Sequence, residues 1–294
     1  MKIIVSGASG LVGTALGREI GDRHHLVPLR RHASGDGIPW DPAQDRLEPG
    51  ALSGADAVVH LAGAGIADRR WSESVKRTIL QSRVDGTGLL ARGMAAAETP
   101  PPVLVCASAI GYYGDRGDAV LDEDAAAGTG FLPEVCVAWE AAADPARAAG
   151  IRVVHLRIGV VLSGAGGALA RMLLPFKLGV GGVIGSGTQY MSWVSLDDLV
   201  RMFEHAIVTP ELTGPVNAVA PTPVTNREFT RTLGRVLRRP TALPLPRFAA
   251  RIALGEMADE LLLASTRVVP RRLEASGFTF THAALEGALR AALR

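Results

Sequence analysis

Short apolar runs along the chain alternate with longer stretches in which apolar residues recur every three or four positions. The runs predict strands at Lys2–Ser6, His25–Leu29, Ala57–Leu61, Val103–Ala107 and, as one long β-rich stretch, Arg152–Leu162. The helical spacing predicts helices at Leu11–Ile20, Val75–Ala97 and Phe131–Ala149. Nearly continuous apolar strands between helices are typical of a parallel sheet that is covered on both faces. We therefore predict an α/β fold.

The pattern becomes less regular after residue 162. Glycine-rich and Pro-rich breaks separate short strand-like and helix-like segments from there to the C-terminus. We predict a core over residues 1–165, to which residues 194–220 return. Residues 166–193 and 221–294 are expected to form a smaller lobe. The polar stretch from Arg30 to about Gly50 is interpreted as a connection without regular structure.

Composition excludes several classes of protein. Apolar residues make up 48% of the chain, charged residues 20%, and the net charge is +2, which argues against a nucleic-acid partner. No apolar stretch reaches membrane-spanning length, and the N-terminal apolar run is too short for a signal peptide, so we expect a soluble cytoplasmic protein without a membrane partner. The seven histidines and two cysteines show no metal-ligand spacing. We expect no metal, with Cys106 and Cys136 as buried free thiols.

The strongest chemical signal is a G-x-x-G-x-x-G run between the first strand and the first helix. Gly7 fits the tight turn that ends the strand, Gly10 allows a pyrophosphate to approach the backbone, and Gly13 allows the helix to pack on the strand. Free N–H groups at the helix start attract phosphate. This arrangement predicts a Rossmann-type dinucleotide site. Its predicted residues are Gly7, Ser9, Gly10, Leu11, Val12 and Gly13.

The residues after the second strand predict which dinucleotide binds. An NAD-binding site typically has a carboxylate there, whereas this chain has Arg30 and Arg31, with no carboxylate before Asp36. Two guanidinium groups suit a 2′-phosphate, so we predict NADP(H) in preference to NAD(H); a solvated basic turn is the alternative. The small-residue loop Leu61, Ala62 and Gly63 is predicted to pass the adenine and ribose. Arg83 is predicted to point toward the phosphates, with a surface salt bridge as the alternative.

These motifs together resemble the extended, epimerase-like branch of the short-chain dehydrogenase/reductase superfamily. The resemblance covers nearly the whole chain and rests on GASGLVG, HLAGAGI, SAIGYYGD, LRIGVVLSGAGGAL, WVSLDDLV and GPVNAVAPTPVTNREF. Further segments, among them FLPEVCVAWEAAA, are similar to an atypical subgroup of epimerase family proteins with a C-terminal domain of unassigned function. The resemblance implies a doubly wound parallel sheet with a smaller substrate-side lobe. We add Ser108 and Val161 to the predicted cofactor contacts.

The resemblance also implies a catalytic set of Ser or Thr, Tyr and Lys, with the Tyr four residues before the Lys. This chain departs from it. Alignment on Glu140 places Cys136 at the Lys position and Leu132 at the Tyr position, and the usual hydroxyl position falls on Ala109. No Tyr or Lys occurs between residues 114 and 166. The standard set is therefore absent.

Substitutes for the missing set lie in the loop after the fourth predicted strand. Tyr112 and Tyr113 leave that strand at its carboxyl end, where ligands bind in open parallel sheets, with Ser108 nearby. These three residues are the candidate catalytic groups. A phenol needs a nearby cation to act at neutral pH, and Lys177 and Arg116 are the candidates. The alternative is that Tyr113 packs structurally and Tyr112 covers the pocket.

Two functions remain open at this point. Gln189, Ser192 and Trp193 fall where relatives line the substrate pocket, and this full substrate lobe favours an oxidoreductase or epimerase acting on a small polar carbonyl or sugar-like substrate. The missing Tyr and Lys favour a non-catalytic NADP(H)-binding regulator or sensor. The resemblance also implies a homodimer through the helices predicted at Val75–Ala97 and Phe131–Ala149.

Overall fold

The computed structural model describes residues 1–31 and 37–294. The strands are β1 Lys2–Ser6, β2 His25–Arg30, β3 Ile38–Asp41, β4 Arg46–Leu47, β5 Ala57–His60, β6 Val103–Ala109, β7 Val120–Leu121, β8 Arg152–Ile158, β9 Val160–Leu162, β10 Tyr190–Met191, β11 Trp193–Ser195, β12 Gly214–Ala218, β13 Val224–Thr225 and β14 Arg267–Val268. The helices are α1 Leu11–Ile20, α2 Glu73–Ala95, α3 Phe131–Ala141, α4 Asp144–Ala148, α5 Gly167–Lys177, α6 Leu196–Val208, α7 Asn226–Leu237, α8 Arg247–Leu254, α9 Glu256–Ala258, α10 Arg271–Ala275 and α11 Leu285–Ala292. Short 3₁₀ turns cover Pro42–Gln44 and Ile110–Tyr113, and a single π-helical turn covers Asp259–Leu263.

Eight strands form the central sheet in the order β12-β8-β6-β5-β1-β2-β3-β4. Every neighbouring pair is parallel except β3 and β4. Helices α1 and α6 pack on one face and α2 and α4 on the other, which explains why most residues of β1, β5 and β6 are apolar. The strand order reverses direction between β1 and β5. In open α/β sheets the ligand cleft lies at such a switch point, outside the carboxyl ends of the strands.

The structure corrects three predicted elements. Residues 38–41, predicted to be irregular, form β3, which pairs with β2 and is anchored by the buried indole of Trp40. The helix predicted over Phe131–Ala149 is two helices, because Pro145 begins the second one. The strand predicted over Arg152–Leu162 is also divided, at Gly159, where a Cβ would lie 2.7 Å from the carbonyl oxygen of Ser192.

The chain beyond β9 contributes both to the sheet and to a second packed region. β12 is the edge strand beside β8, and α6 covers the sheet. A separate apolar cluster joins α5, α7 and α11 around the buried side chains of Leu169, Trp193 and Phe229. Over the described ranges, no helix is long and apolar enough to cross a membrane.

Candidate functional site

The glycine-rich turn has the close contacts that its sequence predicts. Gly7 has a φ of +70°, and a Cβ there would lie 2.8 Å from the backbone nitrogen of Ala62. A Cβ on Gly13 would lie 2.3 Å from the carbonyl oxygen of Gly7. Neither position tolerates a side chain without moving backbone, so α1 starts directly against the end of β1.

The start of α1 is open to a ligand. Gly10 is its N-cap and supplies no side-chain hydrogen bond to the first turn. Ser9 and Gly10 are exposed, and the first-turn N–H groups belong to Leu11, Val12 and Gly13. Uncapped N–H groups and the positive end of the helix dipole form an anion-binding site.

Ser6 fixes the loop after β5 against this turn. Its hydroxyl oxygen accepts hydrogen bonds from the N–H groups of Leu61 (3.1 Å) and Ala62 (3.3 Å) and lies 2.5 Å from the Nδ1 of His60. The predicted cofactor residues Leu61 to Gly63 are therefore adjacent to Gly7. Val161 on β9 belongs to the same corner, because it packs on the apolar cluster that also receives Val12 and Leu61.

Arg83 lies half-buried beside the loop at Gly63. Its Nη1 donates to the carbonyl oxygens of Ala64 and Ile79, both at 3.0 Å, and its guanidinium is 4.9 Å from the ring centre of Trp139. Burial lowers the pKa of Arg83. Among the described residues no carboxylate pairs with it, so a salt bridge does not account for its position. A partly buried cation without a counter-charge favours an anionic ligand.

Arg30 and Arg31 stand at the carboxyl end of β2, next to the end of β1. Both side chains are exposed, and within residues 1–31 and 37–294 neither forms an ion pair. Asp36, the first carboxylate after them in the sequence, lies outside the described residues. Among the described residues, no carboxylate neutralises the two guanidinium groups at this end of the cleft.

Beside this cleft, a buried ion pair occupies the region between β6, α3 and β8. Glu140 on α3 accepts from Arg157 on β8 through both carboxylate oxygens, each at 2.8 Å, and the Ser108 hydroxyl donates to the same carboxylate at 2.8 Å. Burial would raise the pKa of Glu140, but the hydrogen bonds and charge of Arg157 outweigh it and the pKa is lowered. Ser108 is 3% exposed, and its only proton is directed to Glu140.

The second part of this network fixes Tyr113. Its hydroxyl donates to Oδ1 of Asn217 at 2.7 Å and accepts from Nη1 of Arg157 at 3.0 Å, and the side chain is fully buried. Burial raises the pKa of Tyr113 to about 12, although Arg157 opposes the shift. This placement favours the packing alternative for Tyr113 over proton donation.

Tyr112 has a different environment. It is half-buried, and its ring stacks on the guanidinium of Arg157 with 3.4 Å between the guanidinium carbon and the ring centre. Arg157 is thus the cation beside both tyrosines. Arg116 and Lys177, the predicted cations, are exposed, and among the described residues neither forms a cation–π pair with Tyr112 or Tyr113.

Leu132 and Cys136 fill the positions that the resemblance assigns to the catalytic Tyr and Lys. Leu132 is buried, and the Cys136 thiol lies 3.7 Å from the carbonyl oxygen of Ala109. Burial raises the pKa of Cys136 to about 12, so its thiol stays protonated and unreactive. Both cysteines are buried and free, as predicted.

A cavity of about 250 Å³ lies between the start of α3 and a later part of the chain that includes Arg247 and Glu260. Glu260, on the π-helical turn, crosses this cavity and accepts from the N–H groups of Phe131 (2.9 Å) and Leu132 (2.7 Å). Gly130 allows this contact, because a Cβ there would lie 3.0 Å from the carboxylate. The π-helical turn is therefore held against the helix that carries Leu132, and Arg247 lies exposed on the cavity wall.

The predicted substrate-pocket residues are all buried. Ser192 is fully buried, and its hydroxyl bonds the backbone of Thr266 and Val268. Trp193 is fully buried in the lobe core and donates to the carbonyl oxygen of Thr222. Gln189 is 6% exposed, with its amide nitrogen bonded to two carbonyl oxygens. Through these hydrogen bonds, the residues at and beside β10 and β11 join those strands to later parts of the chain.

Sequence reasoning missed Arg157, Asn217 and Glu260. For the first two a signal exists, since each is a polar residue flanked directly by apolar residues within a strand and must find a buried partner. For Glu260 no local signal exists, because its partner is a helix start more than 100 residues away.

Comparison with known proteins agrees with this geometry. The profile described as the NAD dependent epimerase/dehydratase family matches residues 3–219. The chain belongs to that family. A second profile, a domain of unknown function termed DUF1731, matches residues 245–292, the region that includes Glu260. The family is thus the epimerase-like branch of short-chain dehydrogenases/reductases that the motifs indicate.

Individual relatives cover the chain almost completely. The epimerase family protein Mb2239 of Mycobacterium bovis is 47% identical over 98% of this chain and 96% of its own length. The crystal structure of human epimerase family protein SDR39U1 (isoform 2) with NADPH has a TM-score of 0.91 at 36% identity, covering 99% of this chain and 98% of that one. A nucleoside-diphosphate sugar epimerase from Corynebacterium glutamicum has a TM-score of 0.81 at 37% identity, covering 98% of this chain and 57% of that one.

Proposed function

We propose that this protein binds NADP(H) and catalyses an oxidoreductase or epimerase reaction on a small polar carbonyl or sugar-like substrate. The observation that carries the proposal is the convergence of three features at one corner of the sheet. They are the uncapped start of α1 behind Gly7, the cation of Arg83, which has no carboxylate partner among the described residues, and the exposed pair Arg30 and Arg31.

These residues fit a dinucleotide. The glycines leave no Cβ between the backbone and a pyrophosphate, and the helix start offers N–H donors. When bound, the nicotinamide supplies hydride chemistry. The chain binds the phosphates through α1 and Arg83, and the cavity beside the start of α3 offers a place for a small molecule.

The preference for NADP(H) rests on Arg30 and Arg31. Guanidinium groups pair with a 2′-phosphate in bidentate geometry, whereas a ribose hydroxyl is usually recognised by a carboxylate. The NADPH in the structure of human SDR39U1 supports this assignment, because that protein matches the present chain over nearly all of both lengths.

The test is thermal unfolding with saturating NADPH, with saturating NADH and without cofactor. A ligand at about 100 times its Kd stabilises the folded state by roughly 2.7 kcal/mol. We expect NADPH to raise the Tm by several degrees more than NADH does. In the Arg30→Ala/Arg31→Ala variant the difference between the two cofactors should disappear, because only the 2′-phosphate distinguishes them.

The matched control is Arg18→Ala/Arg46→Ala, which removes two exposed arginines from other parts of the surface. It should keep the full difference between NADPH and NADH. Equal stabilisation by both cofactors in the unmodified protein would remove the preference for NADP(H). No stabilisation by either would remove the proposed function itself.

The second candidate is a non-catalytic NADP(H)-binding regulator or sensor. It is favoured by Leu132 and Cys136 in the positions of the usual Tyr and Lys, and by the fully bonded hydroxyl of Tyr113. For the catalytic alternative, Tyr112 is the candidate proton donor with the more accessible side chain. NADPH consumption that depends on an added carbonyl compound and falls in Tyr112→Phe would support catalysis; tight NADPH binding without turnover across a broad carbonyl panel would support the sensor.

A further inference from the structure

The charges of the chain are divided unevenly between its two parts. Residues 221–294 contain 12 arginines, no lysine and six carboxylates, whereas the rest of the chain has 19 basic and 23 acidic side chains. The overall net charge of +2 therefore conceals a strongly basic C-terminal region on an acidic remainder. A local field of this kind attracts anions even when the whole protein is nearly neutral.

Five of these arginines line one open groove of about 860 Å³ on α7 and the segment that follows it. Arg227, Arg231 and Arg235 follow each other at one-turn intervals, about 6 Å apart along the helix axis, so they form a row on one face. Arg238 and Arg239 continue this row beyond the helix end. We call this surface the arginine groove.

The backbone builds the wall of the groove. At Gly234 a Cβ would lie 2.5 Å from Cγ2 of Thr241 and 3.0 Å from the carbonyl oxygen of Arg239, so the chain folds back directly on α7. Arg238, which makes this reversal, has a φ of +55°. This left-handed conformation costs a non-glycine residue roughly 1 kcal/mol, yet an arginine occupies it.

Most of this positive charge is not neutralised within the protein. Over the described residues, Arg231, Arg238 and Arg239 have no carboxylate within ion-pair distance. Arg235 is 3.6 Å from Glu286, but that carboxylate is held at 2.7 Å by Arg290. Arg227 donates to the carbonyl oxygen of Ser186.

Glu228 contributes the only carboxylate among the described residues that line the groove. Like-charged guanidinium groups this close repel each other, and an anion that bridges them relieves that repulsion. Thr225 and Thr241 add hydroxyl donors to the same surface.

We propose that the arginine groove binds an extended polyphosphate, that is, a ligand with several phosphate groups in a row. Guanidinium groups pair with phosphate oxygens in bidentate geometry, and a row of guanidinium groups matches successive phosphates better than one isolated anion. The site is separate from the cofactor cleft, because no residue of the glycine-rich turn contributes to it. Inorganic polyphosphate and the triphosphate of a nucleotide share this chemistry.

Titration calorimetry on the NADPH-saturated full-length protein tests the proposal with sodium triphosphate as the probe. Saturation with NADPH keeps the probe out of the cofactor cleft. We expect saturable binding of one triphosphate per chain, weakened about tenfold or more in Arg231→Gln/Arg238→Asn/Arg239→Gln. Asn is chosen at position 238 because it tolerates the left-handed conformation. Parallel titrations with ATP and with a long polyphosphate chain show which source binds more tightly.

The matched control is Arg18→Gln/Arg46→Gln/Arg77→Gln, which removes the same charge from exposed positions elsewhere. Its affinity for triphosphate should stay within about twofold of the unmodified protein, and both triple variants should keep the NADPH-induced rise in Tm. The proposal that the arginine groove binds polyphosphate would be overturned by either of two results. One is an equal loss of triphosphate affinity in the two triple variants, and the other is no saturable triphosphate binding to the unmodified protein. Neither result bears on the cofactor proposal, because NADPH binding is measured independently.

Discussion

The cofactor cleft and the network around Arg157 lie at the same edge of one sheet but are assembled in different ways. The cleft takes its residues from positions 6 to 83, with Val161 added from β9, and its decisive feature is the backbone geometry of a single strand–turn–helix unit. The network joins five separate elements: Ser108 and Glu140 are 32 residues apart, and Tyr113 and Asn217 are 104 apart. A local constraint leaves a recognisable sequence motif, whereas a network of distant partners does not.

The two regions also treat charge differently. In the cleft, Arg30, Arg31 and Arg83 have no carboxylate partner among the described residues, so their charge is available to a ligand. In the network, the charge of Arg157 is cancelled by Glu140, and its side chain is 3% exposed. The first arrangement is suited to binding an anion, and the second to holding β6, α3 and β8 in one geometry. Three experiments test this contrast.

The largest effect is expected from Glu140→Leu. This change leaves the guanidinium of Arg157 buried without a counter-charge, and breaking a buried ion pair in this way costs about 3–5 kcal/mol of unfolding free energy. Urea denaturation measures the loss. Folded Glu140→Leu protein should still bind NADPH, because the cleft uses none of these residues.

The control for this change is the double variant Glu140→Leu/Arg157→Leu, which removes both charges. It should recover part of the lost stability, since no unpaired ion remains. A double variant that is no more stable than the single one would show that the ion pair is not the source of the effect. A loss of NADPH affinity in the folded single variant would show that the two regions are not separate.

A smaller loss of stability, but a complete loss of NADPH binding, is expected from Gly13→Ala. The new Cβ would lie 2.3 Å from the carbonyl oxygen of Gly7, so the turn must move, at a cost of roughly 1–3 kcal/mol. The control is Gly17→Ala in the same helix, where no atom lies within 4 Å. That change should leave NADPH affinity unaltered and stabilise the helix by about 0.5–1 kcal/mol. Equal NADPH affinity in the two variants, measured by fluorescence titration, would contradict the role of the turn.

The effect that is smallest near neutral pH, and that grows as the pH falls, is expected from acid. Burial lowers the pKa of His60 to about 3 and that of His155 to about 4, from an ordinary value of 6.5. The folded state therefore favours the neutral rings, and their contribution to stability is fully present above pH 6.5. It is lost as the pH falls from 6.5 toward 4 and then 3, at about 1.4 kcal/mol per pH unit for each histidine.

Urea denaturation at pH 7.5, 6.0 and 5.0 measures this slope, and His60→Asn should reduce it by about half. His60 lies beneath the cofactor cleft, where it bonds Ser6, and His155 lies on β8 of the network. Because both strands belong to one sheet, we expect a single unfolding transition at each pH. Two transitions would mean that the cofactor cleft and the network around Arg157 belong to separate folding units.

The prediction from sequence was accurate wherever an element is specified by its own residues. The bounds of β1 and α1 agree with it, and the Rossmann-type α/β fold is confirmed by the sheet and by the relatives. It failed at β3, a four-residue strand that contains a proline and depends on pairing with β2 and on the burial of Trp40. It also assigned the cation beside the tyrosines to Arg116 and Lys177, because nothing in a linear sequence shows that Arg157 stacks on Tyr112.

The sequence by itself determined the dinucleotide turn, because the positions of the glycines decide where the backbone can turn tightly and where a phosphate can approach it. It also determined that the usual Tyr and Lys are missing, since the residues at the motif positions can be read from the sequence without a structure. Only the tertiary structure decided that Ser108 and Tyr113 are bound within a buried network, that Glu260 holds the π-helical turn against α3, and that the arginines of α7 line one groove. Each of these depends on which distant side chains share a small volume, and that is fixed by the packing of the sheet and its helices rather than by any one segment.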